Sequence, residues 1–241
     1  MGHANESFGE IDVRSVWTPD SRRMLYASGK DGPYQIFWRA VDGTSPEEPV
    51  LEDRMDKSPY AVSPDGVTLV YGRSQESGTG RDVWLFPLAS DENPSPVLES
   101  ANIEFNAVIS PDGKWLAYES NESGREEIYV QAFPSAERRQ QISTAGGSEP
   151  VWAPSGRELF YRNANQMLAV EIETEEGLRA GRPHVLFEKE FEFTNNFRNY
   201  DISLDGKRFV MVQTPDSTER GQLEIVFNWF EELRRLVPAD N

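Results

Sequence analysis

The side chains that most often carry catalysis are scarce in this sequence. It contains no cysteine and two histidines, His3 and His184. The lack of cysteine excludes thiolate nucleophiles and cysteine-ligated metal centres. No Gly-x-Ser-x-Gly motif is present, and a Ser–His–Asp triad would have to use His184, which begins a predicted outer strand. We therefore predict no catalytic residue.

Carboxylates are abundant, but their positions have simpler explanations. Two glutamate-rich runs, 173–176 and 188–192, are typical of solvated loops or strand edges. The four aspartates that recur in turns are residues that such turns favour, because an aspartate can bond its own backbone. We do not interpret them as ligands. They are Asp20, Asp65, Asp112 and Asp205.

Five short segments share one turn pattern, and this repeat organises the whole chain. The residues at the turn corner are Pro19, Pro64, Pro111, Pro154 and Leu204, spaced 45, 47, 43 and 50 residues apart. Proline presets φ at the corner, and the glycine that follows in most copies supplies a positive φ. The spacing is the length of one propeller blade, a four-stranded sheet.

Short β-rich runs flank each turn and predict one antiparallel meander per repeat. The fold class is therefore all-β: a β-propeller of five four-stranded antiparallel blades, with six as the alternative. We expect one domain over 1–241, with repeats at roughly 13–57, 58–103, 104–147, 148–197 and 198–241.

The fifth repeat departs from this pattern. Its third strand, 223–228, runs into a stretch with helical spacing, which predicts a short C-terminal helix over 229–237. The last blade then lacks its outer strand. Residues 6–11 could supply that strand and close the ring, and the alternative is a missing blade that leaves an open arc or a dimer.

The innermost strand of every propeller blade lines the central channel, and ligands bind where those strands begin. Counted back from each turn, these positions carry polar side chains of mixed sign. They suit a small polar ligand, a peptide terminus or a cation such as Ca²⁺, although no Asp-x-Asp-x-Asp-Gly loop supports calcium. The alternative is that they only hydrate a water-filled channel. The candidates are Arg14, Ser58, Glu104, Asn106, Glu149, Arg198, Asn199 and Asp201.

At this point the sequence resembles a known group. The segments 63–66 (Ser-Pro-Asp-Gly) and 110–120 (Ser-Pro-Asp-Gly-Lys-Trp-Leu-Ala-Tyr-Glu-Ser) look like the repeats of TolB-type propellers. The ending 225–233 (Ile-Val-Phe-Asn-Trp-Phe-Glu-Glu-Leu) is similar to the C-terminus of the propeller region of some bacterial serine/threonine protein kinases. The resemblance covers the chain from Val13 onward and implies a sensory or protein-interaction role. TolB-type propellers usually have six blades, and five repeats are counted here.

Composition narrows the choice of partners. The formal net charge of −17 argues against nucleic acid and anionic membranes, which need clustered lysine and arginine. No apolar run approaches the roughly 20 residues that span a bilayer, and the N-terminus has no signal-peptide pattern. We expect a soluble chain. If it derives from a longer, membrane-anchored kinase whose catalytic domain lies elsewhere in the parent chain, we expect it to be located outside the cytoplasm.

Two functions are compatible with these features. The first is a non-catalytic binding or sensor propeller that recognises a protein or a small polar ligand at the channel mouth and needs no cofactor. The alternative is a lactonase-like hydrolase in which channel-bound Ca²⁺ polarises an ester carbonyl. Its oxygen ligands would come from Asn106, Glu149, Asn199 and Asp201.

Overall fold

The computed structural model describes residues 12–29, 32–74, 80–90, 92–175, 177–192 and 198–212. Within these ranges the chain is all-β, with five antiparallel sheets and no helix. None of the described segments forms a helix of the length and apolarity that crossing a membrane requires.

Three sheets are four-stranded meanders. Sheet 1 contains β1 (Asp12–Trp17), β2 (Arg23–Ser28), β3 (Gln35–Ala40) and β4 (Glu48–Leu51). Sheet 2 contains β5 (Lys57–Val62), β6 (Thr68–Ser74), β7 (Arg81–Pro87) and β8 (Ser95–Leu98). Sheet 3 contains β9 (Glu104–Ile109), β10 (Trp115–Ser120), β11 (Glu127–Ala132) and β12 (Gln140–Gln141).

The last two sheets differ from this plan. Sheet 4 contains β13 (Ser148–Trp152), β14 (Glu158–Asn163), β15 (Gln166–Glu173), β16 (Arg179–Ala180) and β17 (His184–Glu188), and both β16 and β17 pair with β15. The short strand β16 was not predicted from the sequence. Sheet 5 contains β18 (Tyr200–Ile202) and β19 (Phe209–Met211).

The predicted antiparallel propeller architecture is confirmed in these sheets, whereas the number of blades stays a prediction. The proposed closing strand (6–11), the third strand of the fifth repeat (223–228) and the C-terminal helix (229–237) lie outside the described residues.

Each sheet packs face to face on the next through the alternation of its side chains. On β10, Leu116 and Tyr118 pack toward sheet 2, whereas Trp115 and Ala117 pack toward sheet 4. Successive residues of a strand point to opposite faces, so a strand covered on both sides buries its side chains at successive positions. All six residues of β10 are buried. Similar apolar clusters join sheet 1 to sheet 2 and sheet 4 to sheet 5.

The turn motif also connects neighbouring sheets. A Cβ added to Gly113 would lie 3.7 Å from Cδ of Pro64, the turn proline of the preceding sheet. The same relation holds between Gly206 and Pro154, at 3.6 Å, and at the two remaining junctions. The glycine supplies a positive φ, +72° at Gly113, and this conformation is the reason for glycine here, because a Cβ at these distances would only make an ordinary contact with the proline ring. The repeated turns of neighbouring sheets therefore lie next to one another.

Trp17 and Trp152 occupy equivalent places, two residues before the turn proline, but differ in burial. Trp152 is 6% exposed and donates its indole N–H to the carbonyl of Val108 in sheet 3, at 3.3 Å. Trp17 is 54% exposed. The turn pattern predicts that, if the ring closes, both wedge between adjacent sheets; Trp152 does so, and for Trp17 this stays a prediction that depends on closure. Trp152 packs against the preceding sheet, and no described sheet precedes sheet 1.

Candidate functional site

Three of the eight candidate residues share an uncommon backbone conformation. Arg14, Asn106 and Glu149 each lie five residues before their turn proline, and their φ values are +51°, +51° and +56°. At each position the pairing register of the innermost strand shifts by one residue. Such β-bulges re-aim a side chain, and a positive φ costs a non-glycine residue about 1–2 kcal/mol. The fold therefore maintains a strained conformation where the strands approach the axis.

Sheet 2 lacks this conformation because Pro59 occupies the equivalent place. The pyrrolidine ring fixes φ near −65°, so the left-handed conformation is not accessible. The register shifts between Pro59 and Ala61 instead, and the bulge falls on Tyr60. The ring of Tyr60 lies 4.6 Å from the guanidinium carbon of Arg14, in a cation–π arrangement.

The bulge residues meet at one cavity of about 320 Å³, which we call the channel-mouth cavity. Its wall comes from the innermost strands of sheets 1 to 4 and from Arg198, which precedes β18. The volume is in the range of small-molecule binding sites. The wall includes Arg14, Tyr60, Asn106, Glu149, Pro150 and Arg198.

A chain of hydrogen bonds behind the wall connects sheets 1, 3 and 4. Arg14 donates to Oδ1 of Asn106, and Nδ2 of Asn106 donates to Oε1 of Glu119 at 2.5 Å. The backbone N–H of Glu149 donates to the same oxygen at 2.7 Å. The other oxygen of Glu119, Oε2, is buried and has no hydrogen-bond partner. Burial raises the pKa of Glu119 to about 8, although the two donors oppose the shift. At neutral pH this carboxyl is mainly protonated.

Glu149 connects sheet 4 to sheet 5. Its Oε2 accepts the backbone N–H of Asn199 at 2.9 Å, and its carbonyl accepts the hydroxyl of Tyr200 at 2.7 Å. Its Oε1 lies 3.5 Å from Nη1 of Arg162, which is itself buried. Burial raises the pKa of Glu149, whereas the Asn199 N–H and Arg162 lower it.

The remaining candidates lie around the cavity and do not line it. Ser58 pairs with Gly72 inside sheet 2 and is buried. Glu104 is buried and accepts a hydrogen bond from Ser100 at 2.6 Å, and burial raises its pKa. Asp201 is exposed and lies 3.5 Å from Arg198.

Sequence reasoning missed three residues that support the cavity: Tyr60, Glu119 and Arg162. Glu119 and Arg162 both lie eight residues after their turn proline, opposite the bulge, and Gly72 holds this place in sheet 2. The signal was a charged residue at the same position of the second strand in two repeats. Comparison of the repeats at this position, as well as at the turn, would have found both.

The oxygens proposed to hold Ca²⁺ do not form a cation site in the described geometry. Oδ1 of Asn106 accepts a bond from Arg14, Oε2 of Glu149 accepts one from Asn199, and Asp201 is beside Arg198. Two guanidinium groups line the same cavity and would repel a cation. In the part of the chain that is described, no three acidic or histidine side chains cluster as a metal site would need. Calcium binding, and the hydrolase that depends on it, stay predictions without support from this arrangement.

Comparison with known proteins identifies the fold. The chain is similar to the structure of a candidate TolB from Agrobacterium tumefaciens, with a TM-score of 0.62 and 16% identity over 76% of this chain and 67% of that one. TolB from Acinetobacter baumannii gives a TM-score of 0.62 and 18% identity over 83% of this chain and 54% of that one. A puromycin-hydrolyzing peptidase from Mycobacterium tuberculosis gives 0.56 and 13% identity, over 74% of this chain and 31% of the peptidase. No protein-family model and no curated protein sequence matches. The fold is that of a TolB-type β-propeller.

Proposed function

We propose that this chain is a non-catalytic binding or sensor propeller that recognises a protein partner or a small polar ligand at the channel-mouth cavity. The observation that carries the proposal is that one cavity collects polar side chains from the innermost strands of successive sheets. A TolB-type propeller fold is consistent with a binding role, and the two TolB structures support the fold alone.

The rigidity of the wall favours binding over a purely structural role. Arg14, Asn106 and Glu149 are maintained at positive φ, and each is fixed by hydrogen bonds to another sheet. Side chains that are ordered before a ligand arrives lose little further entropy on binding, which increases affinity. A channel that only held water would need no such strain.

We also propose that the chain is the sensory part of a bacterial serine/threonine kinase and is located outside the cytoplasm. This proposal is based on the resemblance of residues 225–233 to the ends of such propeller regions. Reading the gene upstream of Met1 tests it directly. A kinase domain followed by a membrane helix in the same frame is expected, and an in-frame stop codon directly upstream would contradict the proposal.

Plugging the cavity tests the binding function without knowledge of the natural ligand. Ser15 is exposed and lines the cavity, so Ser15→Trp fills it without disturbing a packed core. Ser95 is an exposed serine on the outer strand β8, and Ser95→Trp is the matched control. Two probes are used. A phage-displayed library of random dodecapeptides is selected for binding to the wild-type protein, and a set of polar metabolites is screened for a shift in its melting temperature.

We expect selected peptides or metabolites to bind the wild-type protein and Ser95→Trp equally, and to lose at least about tenfold in affinity for Ser15→Trp, which corresponds to about 1.4 kcal/mol. Equal binding to the wild type, Ser15→Trp and Ser95→Trp would show that the ligands bind outside the channel-mouth cavity. A lack of any enriched peptide or shifting metabolite would count against a binding function.

A further inference from the structure

We propose that a second copy of this chain pairs with the open edge of β17, so that sheet 4 of one copy and sheet 4 of the other form one antiparallel sheet around a two-fold axis. In the described part of the chain, β17 pairs with β15 on one side and with no strand on the other. This inference is separate from ligand binding at the channel-mouth cavity, because β17 contributes no residue to the wall of that cavity.

The outer strands of sheets 1 and 2 share their register with β17 but carry a proline where β17 carries a valine. The prolines are Pro49 in β4 and Pro96 in β8, and Val185 holds the same place in β17. In all three strands the pairing with the third strand of the sheet shifts by one residue directly after this position. The three strands are therefore structural equivalents.

The prolines protect their sheets from pairing with another strand. A proline has no backbone N–H, and in a sheet it is confined to edges where the missing donor would face solvent. The equivalence therefore indicates that the N–H of Val185 faces the open edge, where it can donate to an added strand. Sheet 3 is protected differently, because its outer strand β12 consists of only two residues, both glutamine.

The edge of β17 also exposes apolar side chains. Val185 is 47% exposed and Leu186 is 41% exposed. The residues equivalent to Leu186 in β4 and β8, Val50 and Val97, are half-buried and pack against the apolar clusters of their sheets. An outer strand that retains its donor and exposes apolar side chains is a template for strand addition.

The sequence of β17 is complementary to itself, which favours a second copy over an unrelated strand. In an antiparallel pairing centred on Leu186, this residue lies opposite its own equivalent. Val185 then lies opposite Phe187, and His184 lies opposite Glu188. Apolar cross-strand pairs, and an imidazole opposite a carboxylate, stabilise a sheet. A two-fold axis presents the same edge of both copies to each other, as a closed dimer requires.

The local charge removes an obstacle to self-association. The chain has a net charge of −17, so two copies repel each other in general. Around β17, over residues 182–190, Arg182 and Lys189 balance Glu188 and Glu190. Glu188 accepts a hydrogen bond from Gln166 at 3.0 Å within its own sheet, and a carboxylate can accept more than one. Two copies can therefore approach through this edge at low electrostatic cost.

Sedimentation velocity of the full chain over a concentration series tests the inference. The interface is small, so we expect a dimer with a dissociation constant of about 1–100 µM. Val185→Pro should raise that constant at least about tenfold and should leave the melting temperature little changed, because proline holds the equivalent place in β4 and β8. Val185→Thr is the matched control: it retains the N–H, and its dissociation constant should stay within about threefold of the wild type.

Charges at position 186 test the register and do not depend on the folding of Val185→Pro. Leu186→Lys and Leu186→Glu each place like charges opposite each other, so each variant alone should be monomeric where the wild type is dimeric. An equimolar mixture of the two should recover a dimer. No recovery in the mixture would contradict pairing centred on Leu186.

A wild type that stays monomeric up to about 200 µM would contradict the inference and leave the ligand-binding proposal intact. A dimer that Val185→Pro, once shown to be folded, does not weaken would also contradict it. If the wild type is monomeric and peptides from the dodecapeptide library bind it but not Val185→Pro, the edge accepts a strand of another protein, and the second-copy inference is wrong.

Discussion

The backbone nitrogen of Glu149 donates a hydrogen bond to Oε1 of Glu119, 2.7 Å away, and joins sheet 4 to sheet 3 directly behind the channel-mouth cavity. The donor belongs to a residue with a φ of +56°, and the acceptor belongs to a fully buried carboxyl. The strained bulge and the buried acid therefore stabilise each other, because the bulge presents an N–H that the acid accepts.

Glu119 should make the stability of the protein depend on pH. Its pKa is about 8 in the folded state against an ordinary value of 4.5, so the folded state retains a proton that the unfolded state releases. The free energy of unfolding should fall as pH rises from about 4.5 to about 8, by up to about 1.4 kcal/mol per pH unit from this group. Glu119→Gln should remove that slope, as measured by urea unfolding from pH 5 to 9.

A glutamine fits the same place because its carbonyl can accept both bonds that Oε1 of Glu119 accepts. We therefore expect Glu119→Gln to be more stable than the wild type at pH 8 and similar at pH 5. Glu99→Gln, at an exposed glutamate, controls for the loss of one carboxylate. A slope that persists unchanged in Glu119→Gln would show that another group causes it.

Replacing one partner of the buried ion pair between Arg162 and Glu149 should lower the free energy of unfolding strongly. Arg162→Met leaves Glu149 buried without its cation, and we expect a loss of about 3–5 kcal/mol. The double variant Arg162→Met with Glu149→Gln removes both charges and should recover at least about half of that loss. Chemical denaturation of the two single variants and the double variant measures the coupling, and additive losses would show that the pair is not coupled.

Gly72 should be intolerant of a side chain because it faces Tyr60. A Cβ at Gly72 would lie 2.1 Å from the Tyr60 hydroxyl oxygen, so either the strand or the ring must move. We expect Gly72→Ala to lower the melting temperature and to cost about 1–3 kcal/mol. At Gly181 the nearest atom is 3.4 Å away, so Gly181→Ala should stay within about 1 kcal/mol of the wild type. Equal stability of the two variants would contradict the described position of Tyr60.

The two equivalent tryptophans should respond differently to truncation. Trp152→Ala leaves a cavity in the apolar core between sheets 3 and 4 and should lower the free energy of unfolding by about 3–5 kcal/mol. Trp17→Ala removes a ring that is 54% exposed and should cost about 1 kcal/mol or less. Equal and large losses in the two variants would indicate that a further sheet covers Trp17 and closes the ring.

Much of the fold could be predicted from the sequence because each repeat encodes its own turn. The proline corner fixes φ, the glycine supplies the positive φ, and the flanking runs are rich in β-formers, so strand positions follow locally. Trp17 could not be predicted, since its burial depends on a neighbouring sheet and not on its own repeat. The same holds for β16, which is a two-residue addition to the edge of sheet 4.

The site was predictable only in part, because its side chains are aimed by bulges. Counting back from the turns found Arg14, Asn106 and Glu149, since their offset from the turn is the same. In sheet 2 the same procedure selected Ser58. There Pro59 moves the bulge by one residue to Tyr60, and Tyr60 lines the cavity instead. Glu119 was missed because a buried carboxyl on a second strand has no local pattern that marks it.

A crystal structure of the wild-type protein tests the central claim most directly. We expect the innermost strands of sheets 1 to 4 to converge on the channel-mouth cavity, with Arg14, Asn106 and Glu149 in its wall at positive φ. Innermost strands that do not converge on a common cavity would contradict the account.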